Sequence, residues 1–160
     1  MNEYLFYDTS SLLLDCKNLF KNKTPFIISS ITLKELENIK TSFSKDAEVK
    51  MAARALLNQL VSHIGEFTVW QYNESMLAPI IEKELEVSPD TKILSCAINY
   101  DNTVHPDEVI FVTADLGQYL IANLFFGQDS VKLLQEEEDD YKGYKEVEMD
   151  NTEMAEFYQN

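Results

Sequence analysis

Short apolar segments alternate with longer amphipathic segments along this chain. The short segments are rich in aromatic and β-branched residues and show no polar alternation, which predicts strands buried on both faces. The predicted strands are residues 4–7, 26–29, 67–70, 109–113 and 131–134.

The longer segments repeat their apolar residues at helical spacing. The pattern is most regular over residues 47–64, where six apolar residues recur about every 3.6 positions: Val49, Ala53, Leu56, Leu57, Leu60 and Ile64. Polar residues that can cap a helix precede several of the other segments. The further predicted helices are residues 12–20, with a cap at residues 8–10; 33–40, with Thr32 as the cap; 75–85; 90–99, behind Pro89; and 116–125.

Apolar strands that alternate with helices predict a three-layer α/β/α fold around a central parallel sheet. The sequence contains no internal repeat, and few glycines and prolines separate the segments. We therefore expect one domain over residues 1–135. The acidic run 136–140 is unsuited to a core, so residues 136–160 are expected to form an acidic linker and a C-terminal tail that packs on the domain or extends it.

The chain has 160 residues and a formal net charge of −15, which argues against a protein that coats nucleic acid through bulk charge. The charge is uneven: residues 1–60 are net +1, residues 61–130 net −9 and residues 131–160 net −7. The two cysteines cannot form a disulfide framework, and no segment is typical of a membrane span or a signal peptide. These features predict a cytoplasmic protein.

Several known site patterns are absent from the sequence. There is no glycine-rich dinucleotide or P-loop motif, no serine nucleophile elbow, and no histidine or cysteine spacing that favours zinc. A phosphoryl-transfer domain of the haloacid dehalogenase or receiver type also places an aspartate near the first strand. The former needs a second aspartate where Ser10 stands, and the latter needs an early acidic pair that is missing.

Four acidic residues occupy corresponding places in successive strand–helix units. Asp8 and Asp115 follow predicted strands, while Glu35 and Asp90 lie near the starts of predicted helices. Each one could simply cap a helix or favour a helix dipole. Together, carboxylates at the carboxyl edge of one sheet repel each other, and a divalent cation is the usual compensation. Oxygen ligands of this kind favour Mg²⁺ or Mn²⁺.

The segment FYDTSSLLLD resembles the opening strand and first acidic motif of PIN-domain nucleases. The resemblance is greatest to the N-terminal PIN domain of PhoH-like proteins. ITLKELENIK, SPDTKILSCA and HPDEVIFVTADLGQYLIA resemble the later acidic motifs in order, and DYKGYKEVEMDNTEMAEFY resembles the closing segment. The resemblance to PIN-domain nucleases implies metal-dependent cleavage of phosphodiester bonds, usually in RNA.

The resemblance also implies roles for individual residues. Asp8, Glu35, Asp90 and Asp115 match the acidic quartet of the family, with Asp8, Asp90 and Asp115 as metal ligands. Glu35 would orient the attacking water. Ser10 and Thr113 would support the ligands through hydrogen bonds.

The expected activity is that of a Mg²⁺- or Mn²⁺-dependent endoribonuclease acting on single-stranded RNA, with DNA as an alternative substrate. Positively charged side chains in the first sixty residues provide a surface for binding a single-stranded RNA. The candidate contacts are Lys17, Lys34, Lys40, Lys45, Lys50 and Arg54. The resemblance allows a homodimer, and an ATPase domain or partner in the native context.

Two positions depart from the family pattern. Ser10 stands where the family commonly has asparagine, and Gly117 stands where a polar residue often follows the last acid. They favour an alternative, a weakly active or inactive PIN-like module that binds a protein or nucleic-acid partner.

Overall fold

The computed structural model describes residues 3–21, 24–104 and 108–135. The predicted tail, residues 136–160, lies outside the described residues. Five strands form one parallel sheet in the order β3-β2-β1-β4-β5. They are β1 (Glu3–Tyr7), β2 (Phe26–Ser29), β3 (Thr68–Trp70), β4 (Glu108–Thr113) and β5 (Val131–Leu133).

Six α-helices connect the described strands. They are α1 (Thr9–Leu14), α2 (Ser30–Thr41), α3 (Ala47–Ser62), α4 (Ala78–Glu82), α5 (Pro89–Val104) and α6 (Leu116–Ala122). Short 3₁₀ helices at Glu74–Leu77 and Gln128–Ser130 precede α4 and β5. No helix in the described ranges is both long enough and apolar enough to cross a membrane.

Alternate strand residues point to opposite faces of the sheet and build two separate cores. Phe6 and Phe111 pack on one face with apolar residues of α4, α5 and α6. Ile28 and Val112 pack on the other face with residues of α1, α2 and α3. The sheet is therefore covered on both sides, which confirms the predicted three-layer α/β/α fold with a central parallel sheet.

Several helices differ from their predicted bounds. The helix predicted over residues 12–20 is α1, which begins at Thr9 and ends at Leu14. Turns follow, with hydrogen bonds from the Asn18 amide to the Asp15 carbonyl and from the Lys21 amide to the Asn18 carbonyl. Leu12 and Leu19 are seven residues apart and both are buried. This spacing is the one expected for a single helix, which explains why the prediction extended the helix past Leu14.

The start of α2 also differs from the prediction. Ser29, the last residue of β2, caps the helix by accepting a hydrogen bond from the Ile31 amide. Thr32, the predicted cap, is instead buried inside the helix. The strand thus runs directly into α2, which places the first turns of α2 at the carboxyl edge of the sheet.

The order of the strands fixes one special place on this edge. The chain moves from β1 outward through β2 to β3, and then returns to the other side of β1 with β4. The connections therefore diverge between β1 and β4, and a crevice opens at such a switch point, outside the carboxyl ends of the strands. The segments after Tyr7 and Thr113 border this crevice.

Candidate functional site

Asp8 follows β1 and is held by donors from two neighbouring segments. Its side chain is only 3% exposed. Oδ1 accepts hydrogen bonds from the Ser10 hydroxyl and the Ser11 amide, both at 2.9 Å, and thereby caps α1. Oδ2 accepts a hydrogen bond from the Thr113 hydroxyl at 2.5 Å. The orientation of the carboxylate is thus fixed by the end of β4 as well as by α1.

Hydroxyl groups connect the two segments that border the crevice. The Ser11 hydroxyl lies 2.7 Å from the carbonyl oxygen of Val112, and the Ala114 amide donates to the Ser10 hydroxyl at 3.0 Å. The Asp115 amide donates to the Thr113 hydroxyl at 3.1 Å. These contacts join the segments that follow β1 and β4.

Asp115 caps α6 on the opposite wall of the crevice. Its Oδ1 accepts hydrogen bonds from the amides of Gly117, at 2.8 Å, and Gln118, at 3.3 Å. A side chain at position 117 would have its Cβ 3.4 Å from Asp115 Oδ1, an ordinary contact. The cap of α6 uses the main-chain amide of Gly117, so the absence of a side chain there leaves the cap intact.

Glu35 lies in α2, at its sixth residue, and faces the loop after β1. Its Oε1 accepts a hydrogen bond from the Thr9 hydroxyl at 2.5 Å, and the same hydroxyl lies 3.1 Å from that of Thr32. Burial raises the pKa of Glu35, the Thr9 hydrogen bond opposes this effect, and the charges of Asp90 and Asp8 add to it. The side chain therefore lies within the electrostatic field of the other acids.

Asp90 is the second residue of α5 and does not cap it. Ser88 caps the helix instead, since the Thr91 amide donates to its hydroxyl at 3.3 Å. Partial burial raises the pKa of Asp90, and the charges of Asp115 and Asp8 raise it further. Because the Asp90 side chain remains substantially exposed, solvent screens these effects.

The four acids predicted from the sequence thus lie at the same edge of the sheet and repel each other. Among the residues that the structure describes, the side-chain ion pairs are Lys40–Glu37 and His63–Glu66, and neither involves the four acids. An excess of uncompensated carboxylates in one crevice favours the binding of a cation.

The carboxylates do not form a closed metal site. Over residues 3–21, 24–104 and 108–135, no three His, Cys, Asp or Glu side chains lie together as a ready metal-binding group. Both oxygens of Asp8 are engaged by hydroxyl and amide donors, and mutual repulsion favours separation of the others. The type of donor still fits Mg²⁺ or Mn²⁺, which prefer carboxylate oxygens and retain water ligands.

Three residues near these acids were not predicted as site residues. Thr9 contacts Glu35, Ser11 connects α1 with β4, and Gln118 connects α6 with α5. Gln118 stands three positions after the capping Asp115, a spacing typical of a capping box. Its side chain instead donates from Nε2 to the carbonyl oxygen of Asp90 at 2.8 Å.

The candidate cations occupy several places in the first three helices and their connections. Lys34 precedes Glu35 in α2, and Lys50 lies in the first turn of α3. The neighbouring Glu48 and Val49 line a largely apolar groove of about 560 Å³ together with Ser10 and Ala114. This groove places the start of α3 beside the crevice.

The remaining cations differ in their surroundings. Lys40 is paired with Glu37 at 3.2 Å near the end of α2. Lys17, Lys45 and Arg54 are exposed. One of the six candidate cations, Lys40, thus has a charge that is already partly compensated.

A family model described as PIN domain matches residues 5–124, which is most of the chain. The chain belongs to the PIN domain family. PIN domains are generally metal-dependent nucleases, and the matched range includes all four acids. No curated protein sequence matches this chain.

A solved structure, the crystal structure of PAE2754 from Pyrobaculum aerophilum, has a similar fold. The TM-score is 0.52 at 16% sequence identity, and the match covers 82% of this chain and 84% of that chain. At this identity the likeness supports the PIN fold and does not extend to substrate or activity.

Proposed function

We propose that this PIN domain is a Mg²⁺- or Mn²⁺-dependent ribonuclease that cleaves single-stranded RNA internally. The proposal rests above all on the arrangement of Asp8, Glu35, Asp90 and Asp115. They are four mutually repelling carboxylates at the switch point of the sheet, and none is paired with a cation among the described residues. Such a site can offset its negative charge by binding divalent ions.

Asp8, Asp90 and Asp115 would hold the ion, which when bound supplies positive charge that favours ionisation of water and offsets charge on the phosphate. Asp8 is already oriented by Ser10 and Thr113. Asp115 has Oδ1 engaged in the cap of α6, and Oδ2 accepts no hydrogen bond from the described residues. Asp115 Oδ2 is therefore free to act as a ligand.

Glu35 is suited to orient the attacking water. Its Oε1 is engaged by Thr9, while Oε2 accepts no hydrogen bond from the described residues. Oε2 can therefore accept a proton from a water placed for in-line attack on phosphorus.

The single-stranded RNA would bind along a group of cations that we call the lysine flank. It consists of five lysines and one arginine: Lys17, Lys34, Lys40, Lys45, Lys50 and Arg54. With a net charge of −15 on the chain, we expect this contact to be weak and sensitive to salt. The same proposal includes the greater resemblance to PhoH-like PIN domains and a cytoplasmic location. It also includes assembly into a homodimer and association with an ATPase partner.

The test uses labelled single-stranded RNA incubated with the purified chain and Mn²⁺, with EDTA and single-stranded DNA in parallel. We expect internal cleavage that EDTA abolishes and that Asp8→Asn reduces by at least a hundredfold. Asp129→Asn is the matched control, because Asp129 is exposed in the 3₁₀ helix before β5. Cleavage that persists in EDTA or in Asp8→Asn would contradict the proposal.

The alternative is a PIN module that binds a partner without cleaving it. The engagement of both Asp8 oxygens and the lack of a ready three-ligand group among the described residues favour it. Calorimetric titration with Mn²⁺ separates the two: saturable binding that Asp8→Asn weakens supports the nuclease. No saturable binding supports the alternative.

A further inference from the structure

Gln118 is a buried polar residue that connects the two acid-bearing helices on one side of the crevice. Its side chain is only 3% exposed. The Nε2 group donates to the carbonyl oxygen of Asp90 at 2.8 Å, and the Gln118 amide donates to Oδ1 of Asp115 at 3.3 Å. One residue thus contacts Asp90 through its side chain and Asp115 through its main chain.

The other end of the Gln118 amide has no hydrogen-bond partner among the described residues. Oε1 is buried and accepts no hydrogen bond from residues 3–21, 24–104 or 108–135, although buried polar atoms are nearly always paired. An unpaired buried oxygen destabilises the folded state, so an apolar side chain of similar size would suit the fold at least as well. The unpaired oxygen offsets the stability that the Nε2 hydrogen bond contributes, so the side-chain amide adds little to the stability of the fold.

The surroundings of Gln118 point instead to the acids. Gln118 lines a cavity of about 190 Å³ whose other lining residues include Ser88, Asp90, Thr91 and Asp115. Asp90 and Asp115 both line this one cavity, so two like charges face the same small space and repel each other. A hydrogen bond that ties the first turn of α5 to α6 opposes their separation.

We propose that Gln118 is a positioning residue that keeps Asp90 near Asp115, so that both carboxylates can serve one divalent ion. This inference rests on the proposed metal-dependent function. Gln118 acts through the main chain of Asp90 and touches neither substrate nor ion. Its substitution changes the geometry of the carboxylates without removing either of them.

The test compares Gln118→Met with the unaltered chain in two measurements. Methionine has a similar length and cannot donate to the Asp90 carbonyl. We expect the dissociation constant for Mn²⁺, measured by calorimetry, to rise about tenfold, in line with the loss of groups that orient metal ligands. The thermal midpoint of the metal-free protein should stay unchanged or rise, because the unpaired oxygen is removed together with the hydrogen bond.

Asn123→Leu is the matched control. Asn123 lies just after the end of α6, and its Nδ2 donates to the Tyr119 carbonyl at 2.8 Å, a comparable amide-to-carbonyl hydrogen bond that contacts neither acid. This variant should bind Mn²⁺ like the unaltered chain. A tenfold loss of affinity in Asn123→Leu as well would assign the effect to α6 in general and overturn the role of Gln118.

A double-mutant cycle tests whether Gln118 acts through Asp90. If it does, Gln118→Met should weaken Mn²⁺ binding much less in the Asp90→Asn background than in the unaltered chain. Equal effects in both backgrounds, unaltered affinity in Gln118→Met, or a fall in stability that parallels the loss of affinity would overturn the inference. Absence of saturable Mn²⁺ binding in the unaltered chain would overturn the proposed function first, and the role of Gln118 with it.

Discussion

The Thr113 hydroxyl donates a 2.5 Å hydrogen bond to Oδ2 of Asp8, which joins the carboxyl ends of the two central strands. The two residues are far apart in sequence but adjacent in the sheet, because β1 and β4 pair in parallel up to Tyr7 and Val112. The Thr113 hydroxyl also accepts a hydrogen bond from the Asp115 amide at 3.1 Å. One hydroxyl therefore orients one acid directly and the backbone of another.

The first prediction concerns this hydroxyl. Thr113→Val keeps the shape of the side chain but leaves Asp8 Oδ2 without its donor inside a buried site. We expect a loss of about 1–3 kcal/mol in the free energy of unfolding, measured by urea denaturation. Thr113→Ser retains the donor and should recover most of this loss. Equal stability of Thr113→Val and the unaltered chain would show that the bond contributes nothing.

The second prediction is a pH dependence that arises from Glu35 and Asp90. Their ordinary pKa values are 4.5 and 3.8, and both are raised in the folded metal-free chain, first by burial. Above the ordinary values the folded chain retains protons that the unfolded chain has released. This contribution to stability is therefore fully present below the ordinary values and is lost as the pH rises through the folded values.

Glu35→Gln removes the contribution of Glu35 to this pH dependence and keeps an acceptor for the Thr9 hydroxyl. In chelator, we expect the variant to match the unaltered chain near pH 3 and to become more stable than it as the pH rises to 7. Thermal midpoints measured across this range would test the difference. Glu74→Gln, the same change at an exposed acid in a 3₁₀ helix, is the matched control. A Glu35→Gln difference that is constant with pH would contradict the mechanism.

The sheet and the placement of two acids could be predicted because they depend on local pattern. Apolar strands without alternation predict a parallel sheet, and an acid one or two residues after such a strand falls at its carboxyl edge. Asp8 and Asp115 follow from this rule. The sequence contains no comparable rule for the contacts between helices.

The less predictable features depend on tertiary packing. The Thr9–Glu35 and Gln118–Asp90 hydrogen bonds join residues of different elements, and their formation depends on how the helices cross and which rotamers are buried. The end of α1 after Leu14 is similar in kind. Tyr7 donates to Asp15 Oδ2 at 3.0 Å beside the point where the helix ends, a contact that periodicity does not reveal.

The third prediction concerns the lysine flank. Asp8→Asn should bind single-stranded RNA without cleaving it, so that affinity can be measured across salt concentrations. Each phosphate contact contributes about −0.7 to the slope of log K against log salt. Removing Lys34 and Lys50 together should reduce the magnitude of the slope by about 1.4.

Lys40 supplies the control for this measurement. Because its ammonium group is already paired with Glu37, Lys40→Ala should reduce the slope less than either of the other two lysine substitutions. If the slope of log K against log salt stays unchanged in the Lys34 and Lys50 double variant, the RNA binds to another surface of the protein.

The fourth prediction links metal binding to stability. An ion that binds only the folded chain stabilises it by about 2.7 kcal/mol at a free concentration one hundred times its dissociation constant. Mn²⁺ should therefore raise the thermal midpoint of the unaltered chain at pH 7, and EDTA should reverse the rise. The ion also offsets the repulsion among the four acids, so the advantage of Glu35→Gln at pH 7 should shrink when Mn²⁺ is present. Asp8→Asn should lose the Mn²⁺-dependent rise while Asp129→Asn keeps it, and a rise of equal size in both variants would show that Mn²⁺ binds elsewhere.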